Sequence, residues 1–218
     1  MKTKSSSILV LLMLLVMIEG IANAQTYVDL GLPSGTLWAD RNVGAALPED
    51  YGDYFAWGET TTKSNYAWAT LKYCEDNSGD RFSKYNTQSK YGNVDNKTVL
   101  ERSDDAATAN WGSGWCMPTQ QQFQELYDNC TWTWTTRNGK NGYEVKGKNG
   151  NSIFLPAAGY RGGTGLSRAG SFGLYWSSSL HTDYPNGGRY LYFDSGYVYP
   201  DYLYGRHYGR SVRAVRCR

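Results

Sequence analysis

The sequence is short of charge. Asp, Glu, Lys and Arg make up 19% of its 218 residues and nearly cancel, to a formal +2. A chain this close to neutral lacks the basic surplus that draws nucleic acid, so no nucleic-acid partner is expected. Histidine is scarce, limited to His181 and His207. No two of the four Cys stand two to four residues apart, which excludes the usual zinc-ligand spacing. The sustained apolar run, Ile8 to Ile18, is 11 residues long. That is well below the roughly 20 residues of a membrane-spanning helix. What is abundant is aromatic and turn-forming: 19 Tyr, 8 Trp, 6 Phe and 25 Gly. This profile excludes a disordered tail and suits antiparallel strands joined by many turns.

Lys2 and Lys4, the apolar run and Ala22-Asn23-Ala24 have the order of a secretory signal peptide. They predict cleavage before Gln25, with residues 1–24 as leader and 25–218 as a single domain without a membrane span in the mature chain. Export places that domain in the periplasm, on the cell surface or in the medium. Disulfides form in such compartments, and Cys74, Cys116, Cys130 and Cys217 are the candidates. Four cysteines allow three pairings, and their spacing does not choose among these or exclude free thiols.

Charge is distributed unevenly along the exported part. Residues 25–148 carry a net −4, whereas 149–218 contain no Lys, 8 Arg and 3 acids, a net +5. Eight Tyr fall between Tyr184 and Tyr208. No Pro- or Ser-rich linker marks the change, so one domain with a specialised C-terminal region is expected.

Local patterns predict mostly strand. Tyr27 to Leu32 and Thr36 to Asn42 flank the turn Pro33-Ser34-Gly35. Residues 58–96 are polar and read as a long irregular excursion. Ser103-Asp104-Asp105 can cap a short helix through Asn110. A second helix is predicted from Gln120 to Asn129. There Thr119 and Gln122 match a capping box, and Phe123, Leu126 and Tyr127 share a face. Strands at Thr131–Thr136, Tyr143–Lys146 and Ser152–Leu155 are separated by hairpin signals at Asn138-Gly139, Asn141-Gly142 and Asn149-Gly150. Gly162-Gly163-Thr164-Gly165 lacks the Lys of a phosphate cradle and reads as a turn. Beyond Tyr175 short strands alternate with Gly turns, ending in Ser211 to Val215.

Several blocks carry a family resemblance. They include Tyr27-Val-Asp-Leu-Gly-Leu-Pro-Ser-Gly-Thr-Leu-Trp38, Asn42-Val-Gly44 and Tyr51-Gly-Asp-Tyr-Phe-Ala-Trp-Gly-Glu59. Asp104-Asp-Ala-Ala-Thr-Ala-Asn-Trp-Gly112, Trp115-Cys-Met-Pro-Thr119 and Asn151-Ser-Ile-Phe-Leu-Pro-Ala-Ala-Gly-Tyr160 follow. Tyr175-Trp-Ser-Ser178 and Gly209-Arg-Ser-Val-Arg213 complete the set. In this order they resemble the Fibrobacter succinogenes major paralogous domain family, whose members are typically secreted proteins of Bacteroidetes and their relatives. Met117-Pro-Thr119 leading into a helix is also similar to a segment of formylglycine-generating enzymes. The resemblance implies an α+β, C-type-lectin-like fold: mostly antiparallel strands and turns, one or two short helices, and paired N- and C-terminal strands. It further implies a bond between a helix Cys and a last-strand Cys, here Cys130–Cys217, which leaves Cys74–Cys116. Cys116 stands where the related motif carries Arg.

A fold does not supply a function. No Gly-x-Ser-x-Gly is present, and both His are expected in surface loops rather than beside a nucleophile. Formylglycine-generating enzymes use a C-terminal Cys pair, whereas only Cys217 lies there, which argues against an oxidase. The carboxylate–Pro–Asn triplet of calcium-dependent lectins is reduced to Tyr184-Pro185-Asn186. No cofactor is therefore expected, with calcium left as the one candidate ion.

The Tyr-rich segment is the feature that points to binding. Strand alternation should bury Leu191 and Phe193 and expose Tyr190 and Tyr192, with Val198 and Leu203 buried between flanking Tyr. Cross-strand aromatic pairing alone would stiffen such a sheet. Tyr and Arg with Ser, Gly and Asn, and no Lys, is equally the composition of a recognition surface. The expected contact face is Tyr184, Arg189, Tyr190, Tyr192, Tyr197, Tyr199, Tyr202, Tyr204 and Arg206, offered to a glycan or a surface protein. Alanine at Tyr190, Tyr199 and Tyr202 together is expected to abolish capture without unfolding. The rivals are a structural or adhesive surface component, an oxidase-like enzyme and a variable protein of a diversity-generating retroelement. The last resembles this chain in fold and in a C-terminal region dominated by Tyr, Asp, His, Ser, Gly and Arg.

Overall fold

A computed structural model describes residues 25–217; the expected signal peptide, 1–24, lies outside them. The chain is α+β, with strands predominating. β1 (Tyr27–Asp29) and β2 (Leu37–Ala39) pair antiparallel around a turn in which the Gly35 N–H donates to the Leu32 carbonyl at 2.8 Å. From Trp68 to Asp104 there are only short 3-10 turns and isolated bridges, as the polar composition predicts. Helix α1 (Ala106–Trp111) starts at Asp105, whose side chain accepts from the Thr108 N–H at 2.9 Å. Asp104 was expected to share that cap. It turns away instead, and hydrogen-bonds the ammonium of Lys72 (2.9 Å) and the hydroxyls of Tyr73 and Tyr85 (2.7 Å each).

β3 (Trp115–Cys116) leads into α2 (Gln120–Asn129), which begins on the capping box of Thr119 and Gln122. Phe123 and Leu126 are fully buried under it, while Tyr127 on the helix edge is exposed. β4 (Thr131–Arg137), β5 (Lys140–Lys146) and β6 (Ser152–Pro156) form a meander. Asn138 and Gly139 adopt φ of 46° and 77°, the left-handed pair a tight hairpin needs. Asn141-Gly142 is not a turn but part of β5. A Cβ on Gly142 would lie 2.3 Å from the Leu155 carbonyl oxygen, so this glycine serves close backbone approach.

β7 (Tyr160–Gly162) and β8 (Gly165–Ser167) make a small hairpin around the glycine-rich turn. β9 (Gly173–Leu180), β10 (Gly187–Asp194) and β11 (Tyr197–Gly205) form a three-stranded sheet longer than the short strands expected. β12 (Val215–Arg216) then lies between β2 and β3 in a four-stranded sheet, joining the two ends of the chain. The segment leading to it runs through the interior. Arg210 exchanges both backbone hydrogen bonds with Phe55 at 3.0 Å, and the Val212 carbonyl accepts from the Val43 N–H at 2.9 Å.

Trp38, Trp57, Trp115 and Trp176 are all buried and brace the core; Trp111 is half-buried against it. The disulfide differs from the expectation. Cys116 bonds Cys217, while Cys74 and Cys130 are free. The cause is strand pairing: β12 pairs with β3 so that Val215 faces Cys116, bringing the Cα atoms of Cys116 and Cys217 to 5.4 Å. Cys130, at the end of α2, caps the helix and packs on the lower core.

Candidate functional site

Side-chain alternation divides the two faces of the β9–β11 sheet. On β10, Leu191 and Phe193 are completely buried in one core cluster, as predicted. Tyr190, Tyr192 and Asp194 take the opposite face. On β11, a spacing of three would send Tyr199 and Tyr202 to opposite faces. The register slips here: Tyr190 opposes Tyr202, but Tyr192 opposes Tyr199. The extra residue in β11 is a bulge, and it returns both rings to the same side. Pro200 lies within that step, on an edge strand where a missing N–H is tolerated.

The rings form a connected array. Tyr199 contacts Tyr197 at 6.1 Å and Tyr202 at 5.6 Å between centroids. Tyr202 reaches Tyr190 at 5.4 Å and Tyr192 at 5.8 Å, and Tyr192 packs edge-on against Phe172 at 5.5 Å. At the far end Tyr204 meets Tyr208 at 5.1 Å, and Tyr208 meets Tyr160 at 5.5 Å. Together they wall a cleft of about 490 Å³, lined also by Leu174, Asp194 and Arg210. That volume lies within the roughly 300–1,000 Å³ of small-molecule sites. Burial pushes the Tyr192 phenol up to about 12, reinforced by the Asp194 carboxylate that accepts its hydrogen bond at 3.0 Å. Burial raises Tyr190 and Tyr208 likewise. These three phenols therefore keep their hydroxyl protons near pH 7.

Arg210 occupies the floor. It is 2% exposed, with its guanidinium carbon 3.5 Å from the Tyr190 centroid and 4.1 Å from that of Trp176. Its Nε and Nη1 are buried without a hydrogen-bond partner, and no ion pair among the described residues reaches it. Burial lowers its pKa to about 10, opposed by Tyr190, so it stays cationic at neutral pH. Stacking on two aromatic faces is the compensation visible for a buried charge.

Of the nine residues expected to make contact, Tyr190, Tyr192, Tyr197, Tyr202 and Tyr204 line the cleft, and Tyr199 joins its rim. Tyr190 is a floor residue rather than an exposed one, at 4% exposure, so its removal in the expected triple variant would disturb the core. Three of the nine contact residues are corrected. Arg206 is buried, stacked 3.9 Å over Phe82 and donating to the Tyr85 carbonyl at 3.0 Å, because the chain turns inward after β11. Arg189 lies on the other face, paired across the strands with Asp201 at 2.6 Å. Tyr184 is exposed but stands apart in the β9–β10 connection, beside His181. Leu203, expected inside, is exposed at the outer end of the sheet.

Neither histidine is a free surface residue. His181 is buried, with Nδ1 accepting from the Tyr184 N–H at 3.1 Å. His207 packs 4.1 Å from both Trp68 and Tyr208, in a second cleft of about 330 Å³ that shares the Tyr204 and Tyr208 wall. Burial, then Arg210 and Lys63, push its pKa down to about 4. Burial raises the free thiols, Cys130 to about 11, so neither is an activated thiolate. Among the described residues no group of three His, Cys, Asp or Glu side chains is placed to hold a metal ion. No helix among them is long and apolar enough to cross a membrane.

Sequence reasoning missed Tyr160, Phe172, Asp194, Tyr208 and Arg210. Asp194 and Tyr208 carried a usable signal, lying at strand parity with Tyr192 or among the clustered Tyr. Tyr160, Phe172 and Arg210 reach the cleft only through long-range packing. No family model, curated protein or solved structure matches the chain.

Proposed function

We propose that this is an exported, non-catalytic binding protein that takes a glycan in the tyrosine-walled cleft of its β9–β11 sheet. The observation that carries the reading is the cleft itself, in which seven Tyr from four separate segments converge around about 490 Å³. Tyr rings stack on the apolar faces of sugars, and neutral phenols hydrogen-bond sugar hydroxyls. A concave site of this size suits a small ring-shaped ligand better than a flat protein surface. The raised thiol pKa values and the commitment of Cys217 to a disulfide support a role without catalysis. Pairing of β2 with β12 is the arrangement a C-type-lectin-like fold would have, and it supports membership in the major paralogous domain family. Secretion through the residue 1–24 leader completes the proposal.

The test is a glycan array probed with the wild type and with Tyr197→Ala/Tyr202→Ala/Tyr204→Ala, three side chains that are 54%, 45% and 51% exposed. Because they are exposed, the variant should keep its melting temperature while losing about tenfold or more in affinity. Equal glycan capture by both proteins rejects the cleft. Assembly into envelope material with no soluble glycan bound favours the structural or adhesive alternative.

A further inference from the structure

The glycan reading leaves the floor of the cleft unexplained. A neutral sugar needs aromatic faces and hydroxyl partners, which Tyr192, Tyr202 and Tyr204 provide. It does not need a buried cation. Arg210 is nonetheless fixed there by paired backbone hydrogen bonds to Phe55, with two guanidinium nitrogens lacking any acceptor. Buried polar groups are paired in the great majority of cases, and an unpaired one calls for a reason. Arg213 shows that this chain can supply acceptors, since its three nitrogens donate to oxygens at 2.8–3.2 Å. Buried Arg206 also leaves Nε and Nη2 unpaired, but it does not line the cleft. Arg210 instead lies against the open cleft, 5.7 Å and 6.0 Å from the ring centroids of Tyr204 and Tyr208.

Resting on the glycan reading, we infer that the ligand is an acidic sugar, and that a uronate carboxylate completes Arg210 between the Tyr204 and Tyr208 rings. A carboxylate supplies the missing counter-charge, and charge-assisted bonds to Arg are strong in a partly desolvated site. The one acidic side chain of the cleft, Asp194, is held by the Tyr192 hydroxyl and the Gly196 N–H at 3.0 Å each. Its charge repels an anion and so assigns the carboxylate to the Arg210 end. The aromatic array between the two then covers the sugar ring.

Calorimetric titration of the whole exported protein tests this, using three sets of oligosaccharides of equal length. The first set carries galacturonate, glucuronate, mannuronate or guluronate, the second is the same set after carboxyl reduction, and the third is sulfated but free of uronate. The inference expects a uronate oligomer to bind about tenfold or more tightly than its reduced form. Arg210→Met should erase that difference, and Arg210→Lys should restore part of it. Asp194→Asn should raise the preference for uronate over the reduced form several-fold, a readout independent of whether Arg210→Met folds. Equal binding of acidic and reduced forms, with Arg210→Met indifferent, overturns the inference but leaves the neutral-glycan cleft standing. Tighter binding of the sulfated set overturns the carboxylate assignment. Failure of all three sets to bind overturns both readings.

Discussion

Arg213 and Arg210 stand three residues apart on the segment that closes the molecule, yet they belong to chemically different regions. Arg213 is fully buried and each of its three nitrogens has an acceptor. Nε donates to the Asn42 side-chain oxygen at 2.9 Å, Nη1 to the Ala39 carbonyl at 3.2 Å and Nη2 to the Phe154 carbonyl at 2.8 Å. One cation thereby ties together the β2 end, the following loop and β6. Arg210 is just as buried but stacks between Tyr190 and Trp176 with Nε and Nη1 unpaired. Burial lowers both arginines to about 10. Desolvation therefore does not distinguish them; hydrogen-bond satisfaction does. Unpaired nitrogens alone do not mark a recognition group, because buried Arg206 also leaves Nε and Nη2 without partners; Arg210 is the one of these that lines the cleft.

The largest effect should come from the brace. Arg213→Met leaves three buried acceptors without their donor, and removing one side of a buried charged network typically costs about 3–5 kcal/mol. Urea unfolding should show that loss with the cleft's chemistry untouched; a change under ~1 kcal/mol would dissolve the distinction between the two arginines. Next in size is the cross-link that anchors the same segment at its end. Cys116 and Cys217 are separated by 101 residues in sequence, and a native bond closing so long a loop is worth about 2–5 kcal/mol. Cys116→Ser/Cys217→Ser should lower the unfolding midpoint accordingly. Peptide mapping under non-reducing conditions should recover Cys74 and Cys130 as thiols, and a Cys130–Cys217 peptide would refute the β3–β12 pairing.

The brace region was more legible in the sequence than the cleft, for physical reasons. Local rules governed much of it: the Thr119 capping box, the Asn138-Gly139 turn and the alternation that buries Leu191 and Phe193 depend on neighbours a few residues away. The failures came where distant segments decide. Gly142 resembles a turn glycine until β6 arrives beside it. Cys130 looks like the helix cysteine of a lectin-like bond until β12 selects β3. The clustered Tyr located most of the cleft wall, but simple alternation predicts neither the bulge that aligns Tyr199 with Tyr202 nor the inward turn that buries Arg206. Arg210 was visible only as a letter in a family block, because its environment is built by Phe55, Trp176 and Tyr190.

The smallest expected effect is also the sharpest form of the comparison. Arg210→Met removes a buried charge whose Nε and Nη1 have no partner, and it strands few acceptors in doing so. Replacing buried ionic groups by apolar side chains of similar size is often neutral or stabilising. Met keeps the unbranched stem and packs well against aromatic faces, here those of Tyr190 and Trp176. What is lost is the cation–π attraction, on the order of 0.5–2 kcal/mol, and what is gained is relief from burying an unpaired cation. The two oppose, so urea unfolding should move by no more than ~1 kcal/mol in either direction. A loss of the size expected for Arg213→Met would mean that Arg210 is a second brace whose stacking alone holds Tyr190 in place. A near-zero change would leave Arg210 without a structural reason for its position, and the cleft it faces as the remaining one.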